Sequence, residues 1–175
     1  MVRSRVRARR RVITVIVVLL GAAAWGRHVG SASAGVIPAR VVRTFDGDTV
    51  EVLVGRGDAA RPETVRMLGV DTPETHHPRK PVQCFGPEAA AFTAARLPPG
   101  TAVRLELDVE QRDRYGRLLA HVLVDDARFG DELLRAGYAR LLVIAPNGAH
   151  AREMLRAELE ARSAGRGLWG VCGGR

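Results

Sequence analysis

The chain has 175 residues, with 27 Lys or Arg against 19 Asp or Glu and a formal net charge of +8. Seven of the basic residues precede Gly35 and no acid does, so residues 35–175 carry 20 basic against 19 acidic side chains. A body this close to neutrality excludes attraction of polyanions by a global field and leaves any phosphate binding to locally placed arginines.

In chain order, six arginines (Arg3, Arg5, Arg7, Arg9, Arg10, Arg11) are followed by Val12 to Trp25, apolar apart from Thr14 and Gly21, and then by Ala32-Ser33-Ala34. A basic head, a short apolar middle and a small-residue exit predict an export signal over residues 1–34, cleaved after Ala34, so that the protein is secreted. The apolar run falls short of the roughly 20 residues that span a bilayer. The alternative is an uncleaved anchor that tethers the same domain outside the membrane. Arg9 to Arg11 also suggest a twin-arginine signal, without the rest of that motif.

Residues 35–175 are expected to form one compact domain. Alternating and β-branched runs predict strands near Ile37 to Phe45, Thr49 to Val54, Thr64 to Leu68, Val103 to Asp108 and Leu118 to Val124. Asp46-Gly47 punctuates the first two as a turn, and Gly55 to Pro62 separates the second and third. A first helix opens at Gly86 with Pro87 and Glu88 in its first turn and stops before Pro98-Pro99. A second, Asp131 to Ala136, ends at Gly137. A third runs from about Ala149 to Ala164, with Ala151, Leu155 and Leu159 as its apolar face and Gly165 as its stop. This order is α+β and fits a five-stranded OB-type β-barrel with three packed helices. Cys84 and Cys172, an even pair in an exported chain, read as one disulfide; two free buried thiols are the alternative.

Three clusters carry chemistry. Asp46-Gly47-Asp48-Thr49 lies between two strands and, taken alone, is a solvated hairpin turn. Arg66 to Thr75 places Asp71 and Glu74 at a loop start, where Pro73 fixes its own φ and biases Thr72 to an extended backbone. Two aspartates, Asp48 and Asp71, and the Thr72 carbonyl form an oxygen-only donor set suited to calcium and not to zinc; the bland reading is an exposed acidic loop with Arg66 paired to Asp71. In Asp113-Arg114-Tyr115-Gly116-Arg117, Gly116 permits a bend that aims Arg117 away from Arg114, and Tyr115 offers a flat apolar face. By itself this is a charged hairpin tip.

Together, Asp46 to Thr49, Arg66 to Thr75, Phe85 to Ala89 and Asp113 to Arg117, continued by Asn147 to His150 and Gly167 to Trp169, closely resemble the thermonuclease (staphylococcal-nuclease-like) family over nearly all of residues 35–175. The resemblance implies a calcium-dependent nuclease that hydrolyses DNA and RNA, leaves 3′-phosphate ends, prefers single-stranded or locally unpaired substrate and acts as a monomer. It assigns Asp48, Asp71 and the Thr72 carbonyl to calcium and Glu74 to the general base. Arg66 and Arg117 fall on the scissile phosphate, and Arg114 and Tyr115 on a neighbouring phosphate. The chain departs from the family at Leu141 to Pro146, where the tyrosines of a base pocket are missing. Tyr138 is expected to pack in the core, and His76 and His77 to sit in an exposed loop without zinc-type spacing. The competing reading is a non-catalytic OB-type nucleic-acid-binding module.

Overall fold

The computed structural model describes residues 35–75 and 81–173. The expectations for the export signal and for His76 and His77 lie outside the described residues.

Five strands carry the fold: β1 (Val36–Thr44), β2 (Thr49–Val54), β3 (Arg61–Met67), β5 (Ala102–Arg112) and β6 (Leu118–Val124). Their order is β3-β2-β1-β5-β6, and β3 pairs in parallel with β6, so the sheet closes into a barrel. Alternation drives the closure. Val50 and Val52, Val65 and Met67, Val103, Leu105 and Leu107, and Leu118, Ala120, Val122 and Val124 all point inward and are buried. Each valine, leucine or methionine among them contributes about 1.5–3 kcal/mol on burial. β1 serves two neighbours: Val36 to Arg40 pair with β5, and Ala39 to Thr44 with β2, with a register shift between Val41 and Arg43. An extra residue of that kind bends a strand and lets a small barrel turn its corner.

Four shorter elements decorate the barrel: β4 (Gly69–Asp71), β7 (Ala127–Arg128), β8 (Arg140–Leu142) and a 3₁₀ turn over Gly57–Ala59. β4 and β8 form a separate two-stranded sheet. The sequence pattern does not reveal it, because three residues are too few to show a period.

Three helices pack on the barrel: α1 (Gly86–Arg96), α2 (Phe129–Ala136) and α3 (Ala151–Ser163), followed by the single turn α4 (Leu168–Val171). The predicted boundaries hold to within a residue or two. Gly137 ends α2 in the left-handed conformation at φ 78°. Phe92 of α1 stacks between Tyr138 and Phe129, at 4.3 and 6.1 Å between centroids, and Tyr138 also stacks on Phe85 at 5.3 Å. Tyr138 therefore packs against the core, as expected. Cys84 and Cys172 form a disulfide across 88 residues, tying the segment before α1 to the end of α4.

The face of α3 was misread. Leu155 and Leu159 are exposed at 43% and 52%, whereas Met154, Ala157, Glu158 and Ala161 are buried. The buried stripe contains an acid, which disguised it. Glu158 is accommodated because it accepts hydrogen bonds from the Leu141 amide at 3.2 Å and from Arg162 at 3.1 Å.

His121 is enclosed between the barrel and α3. Burial, aided by neighbouring His150, lowers its pKa from 6.5 to about 4. The unfolded chain takes up this proton near pH 6.5 and the folded chain only near 4, so its contribution is complete above pH 6.5 and is lost as pH falls toward 4. Denaturant titrations are expected to show His121→Gln losing about 2–3 kcal/mol less than the parent between pH 7 and 4.5; equal losses refute this account. Cys84→Ala/Cys172→Ala should cost about 2–5 kcal/mol, because the bridge closes a long loop. A midpoint unchanged in urea would show that the bridge restrains nothing.

Candidate active site

One end of the barrel gathers the three clusters. Thr49 of β2 stands opposite Arg66 of β3 in register, and the Met67 amide donates to the Asp48 carbonyl at 2.9 Å, so the β1–β2 turn lies beside the end of β3. On the other side of β3, the parallel pairing sets Val65 opposite Leu118 and Arg66 opposite Leu119. The chain therefore enters β6 through Arg117 next to Arg66.

Asp48 is the buried hub. Its Oδ2 accepts from the Thr72 amide at 2.9 Å and the Thr72 hydroxyl at 3.1 Å, while its Oδ1 accepts from the Thr49 hydroxyl at 3.1 Å. Nη2 of Arg66 lies 3.3 Å from Asp48 Oδ2 and 3.4 Å from Asp71 Oδ1, so one guanidinium nitrogen reaches both carboxylates. The other, Nη1, donates at 2.8 Å to the carbonyls of Met67 and Val70. Arg66 is thus fixed from both ends, which the surface-pair reading of Arg66 and Asp71 does not describe.

Asp113 performs the same service for Arg117. It accepts from the amides of Tyr115 and Arg117 at 2.9 Å each and from Arg117 Nε at 2.7 Å. Partial burial opposes the charge on Asp113, but these hydrogen bonds outweigh it and hold the carboxyl below its ordinary pKa. Arg114 donates to the Tyr115 hydroxyl at 2.6 Å and covers its ring at 4.8 Å.

Glu74 is anchored through its backbone. Its amide donates to Gln83 Oε1 and its carbonyl accepts from the Gln83 amide, both at 2.9 Å. The first residue of α1 closes on the same carbonyl: a Cβ on Gly86 would lie 2.9 Å from it.

Asp46, Asp48, Asp71, Glu74, Arg66 and Arg117 line a single polar cleft of about 190 Å³, together with Thr49, Thr72 and Pro73. The residues expected to act on the metal or on the scissile phosphate are therefore brought together. Arg114 and Tyr115 lie next door, in a cavity of about 450 Å³ that shares Arg66 and Arg117 and includes Leu142 and Ile144. A larger cavity, about 650 Å³, lies elsewhere, and its Arg104 is paired with Asp126. Size does not mark the site; convergence of charge does.

The cleft holds four carboxylates against two guanidiniums, and the acids feel it. Burial first, and the charge of Asp48 second, raise the pKa of both Asp46 and Asp71. Such crowding favours an added positive charge, and an oxygen-only wall suits a hard divalent cation better than zinc. Among the described residues no group of three or more His, Cys, Asp or Glu is placed to hold a metal by itself. A cation here would need the Thr72 carbonyl and water beside Asp48 and Asp71.

Comparison with known proteins is consistent with this geometry. Residues 64–171 match the family described as "Staphylococcal nuclease homologue". The chain is 38% identical over 130 residues to a thermonuclease of Staphylococcus hyicus and 40% identical over 129 residues to one of Staphylococcus intermedius, covering 74% of each chain in both cases. It is 38% identical over 133 residues to endonuclease YncB of Bacillus subtilis (strain 168), covering 75% of this chain and 61% of the relative.

This chain belongs to the staphylococcal nuclease homologue family. Within that family frame, three residues at the site went unassigned in the sequence. Asp46 was given only a turn role, although its aspartate neighbours two residues on were the signal. Gln83 carries no sequence signal, because it acts through a backbone nine residues away. Arg140 of β8 stands opposite Asp71 of β4, where its charge, after that of Arg66, partly offsets the rise that burial and Asp48 impose on that acid, a placement that depends on the short sheet.

Gly47 is required by close approach: a Cβ there would lie 2.6 to 2.7 Å from three side-chain atoms of Thr72. Gly47→Ala is expected to lower stability by about 1–3 kcal/mol in chemical denaturation, by displacing Thr72 from Asp48. An unchanged midpoint would show that the contact is not tight.

Proposed function

We propose that the protein is a secreted, calcium-dependent nuclease that hydrolyses phosphodiester bonds of DNA and RNA and leaves 3′-phosphate ends. One observation carries the reading: Arg66, held by Asp48 and Asp71, and Arg117, held by Asp113, face one cleft beside Glu74.

The division of labour follows from the charges. Attack of water on a phosphodiester concentrates negative charge on the non-bridging oxygens. Guanidiniums meet those oxygens with paired, permanently charged hydrogen bonds. Arg66 and Arg117 grip the scissile phosphate, and their prior fixation removes the reorganisation that would otherwise accompany charge development. Glu74 takes the proton of the attacking water. Asp48, Asp71 and the Thr72 carbonyl hold calcium, which when bound supplies a positive centre for the phosphate and makes the water more acidic. Release of the 5′ oxygen leaves the phosphate on the 3′ side.

The neighbouring cavity, with Tyr115, Leu142 and Ile144 on its walls, accepts an unstacked base, which favours single-stranded or locally unpaired substrate. Aliphatic side chains stand where the family carries tyrosines, so stacking there rests on Tyr115. The disulfide supports an oxidising compartment and with it secretion.

Plasmid and single-stranded DNA incubated with the purified protein and calcium should be degraded to 3′-phosphate products, and a chelator should stop the reaction. Persistent cutting under chelation removes the metal from the account, and binding without cutting replaces the nuclease by a binding module. Arg66→Ala and Arg117→Ala should each lower kcat about 100-fold or more with the fold intact by circular dichroism. Near-normal turnover in either variant refutes its role.

A further inference from the structure

We propose that Phe45, backed by Arg43, is a second base-stacking subsite, for a nucleotide on the opposite side of the scissile phosphate from Tyr115; the proposal rests on reading the cleft as a phosphodiester site.

Among the described residues, the aromatic rings left exposed are Phe45, at 39%, and Tyr115, at 68%. The other phenylalanines belong to one stack, Phe85 on Tyr138, Tyr138 on Phe92 and Phe92 on Phe129. The two exposed rings share a further feature. Each carries an arginine over one face, Arg43 at 4.6 Å from the Phe45 centroid and Arg114 at 4.8 Å from that of Tyr115.

Their positions bracket the cleft. Arg66 and Arg117 line both the polar cleft and the apolar cavity that holds Tyr115, whereas Asp46 lines only the polar cleft. Phe45 directly precedes Asp46, and its amide donates to the Thr49 carbonyl at 2.9 Å, so the ring is carried on the same fixed turn. Arg66 and Arg117 therefore stand between the cavity that holds Tyr115 and the cleft wall formed by Asp46, the residue that follows Phe45. Arg43 is oriented by Glu51 through a 2.9 Å bond from Nε, yet its side chain remains 60% exposed. An aromatic face for a base with a cation beside it for the adjoining phosphate is the recurring unit of single-strand binding.

The test uses single-stranded oligodeoxynucleotides with one cleavable linkage and a single abasic residue moved stepwise along both sides of it, assayed with calcium. For the parent protein, removing the base at one position on the far side from Tyr115 should raise KM about 5- to 50-fold. Phe45→Ala should raise KM for the fully based oligonucleotide by a similar factor and become insensitive to the abasic residue at that position alone. Phe45→Trp should restore the sensitivity. Tyr115→Ala should lose sensitivity on the opposite side only. If Phe45→Ala matches the parent at every position, or weakens all positions equally as a damaged turn would, the subsite is refuted. A parent protein that cuts none of the set sinks the reading of the cleft itself, and the subsite with it.

Discussion

The buried carboxylate of Asp48 is the constraint on which the site depends. It joins a turn between β1 and β2 to a loop after β4 that lies more than twenty residues away, by accepting two hydrogen bonds from Thr72 and facing Arg66. A buried acid without such partners would be expelled or protonated. Here both carboxylate oxygens meet donors. The same contacts draw Asp71 to the cleft, because Asp71 precedes Thr72 and reaches the guanidinium nitrogen that Asp48 also reaches.

Barrel closure supplies the second half of the site. An open sheet would leave β3 and β6 at opposite edges, with Arg66 and Arg117 separated by the width of the molecule. Parallel pairing of Val65 to Met67 with Leu118 to Ala120 removes both edges and sets the two arginines side by side. The inward valines and leucines that drive closure therefore also fix the spacing of the two guanidiniums.

The barrel strands were legible because period-2 burial writes itself into the residue types, and helix ends were legible at Gly86-Pro87 and Gly137, where local chemistry dictates them. The α3 face was not. Its buried stripe runs through Glu158, and an acid satisfied by a distant amide looks the same in sequence as a solvated one. The β4–β8 sheet was hidden by its brevity, and with it the placement of Arg140 opposite Asp71. At the site, Arg66, Asp71, Glu74 and Arg117 could be named from their motifs, but the double engagement of Arg66 and the grip of Gln83 on Glu74 are tertiary facts. No spacing along the chain encodes them.

Charge balance ties the cleft to its substrate. Four carboxylates around two guanidiniums leave a surplus of negative charge, and burial first, then the charge of Asp48, raises the pKa values of Asp46 and Asp71. A phosphodiester entering alone would add to that surplus and compete with Asp48 and Asp71 for Arg66. A divalent cation on the same acids would cancel the surplus and release part of Arg66 from them, leaving its remaining donors for phosphate oxygens. Metal and substrate would then be coupled through one side chain, each raising the affinity for the other. A cleft built from separated charges, each satisfied by its own neighbour, would bind the two independently; here Arg66 is shared between Asp48 and Asp71.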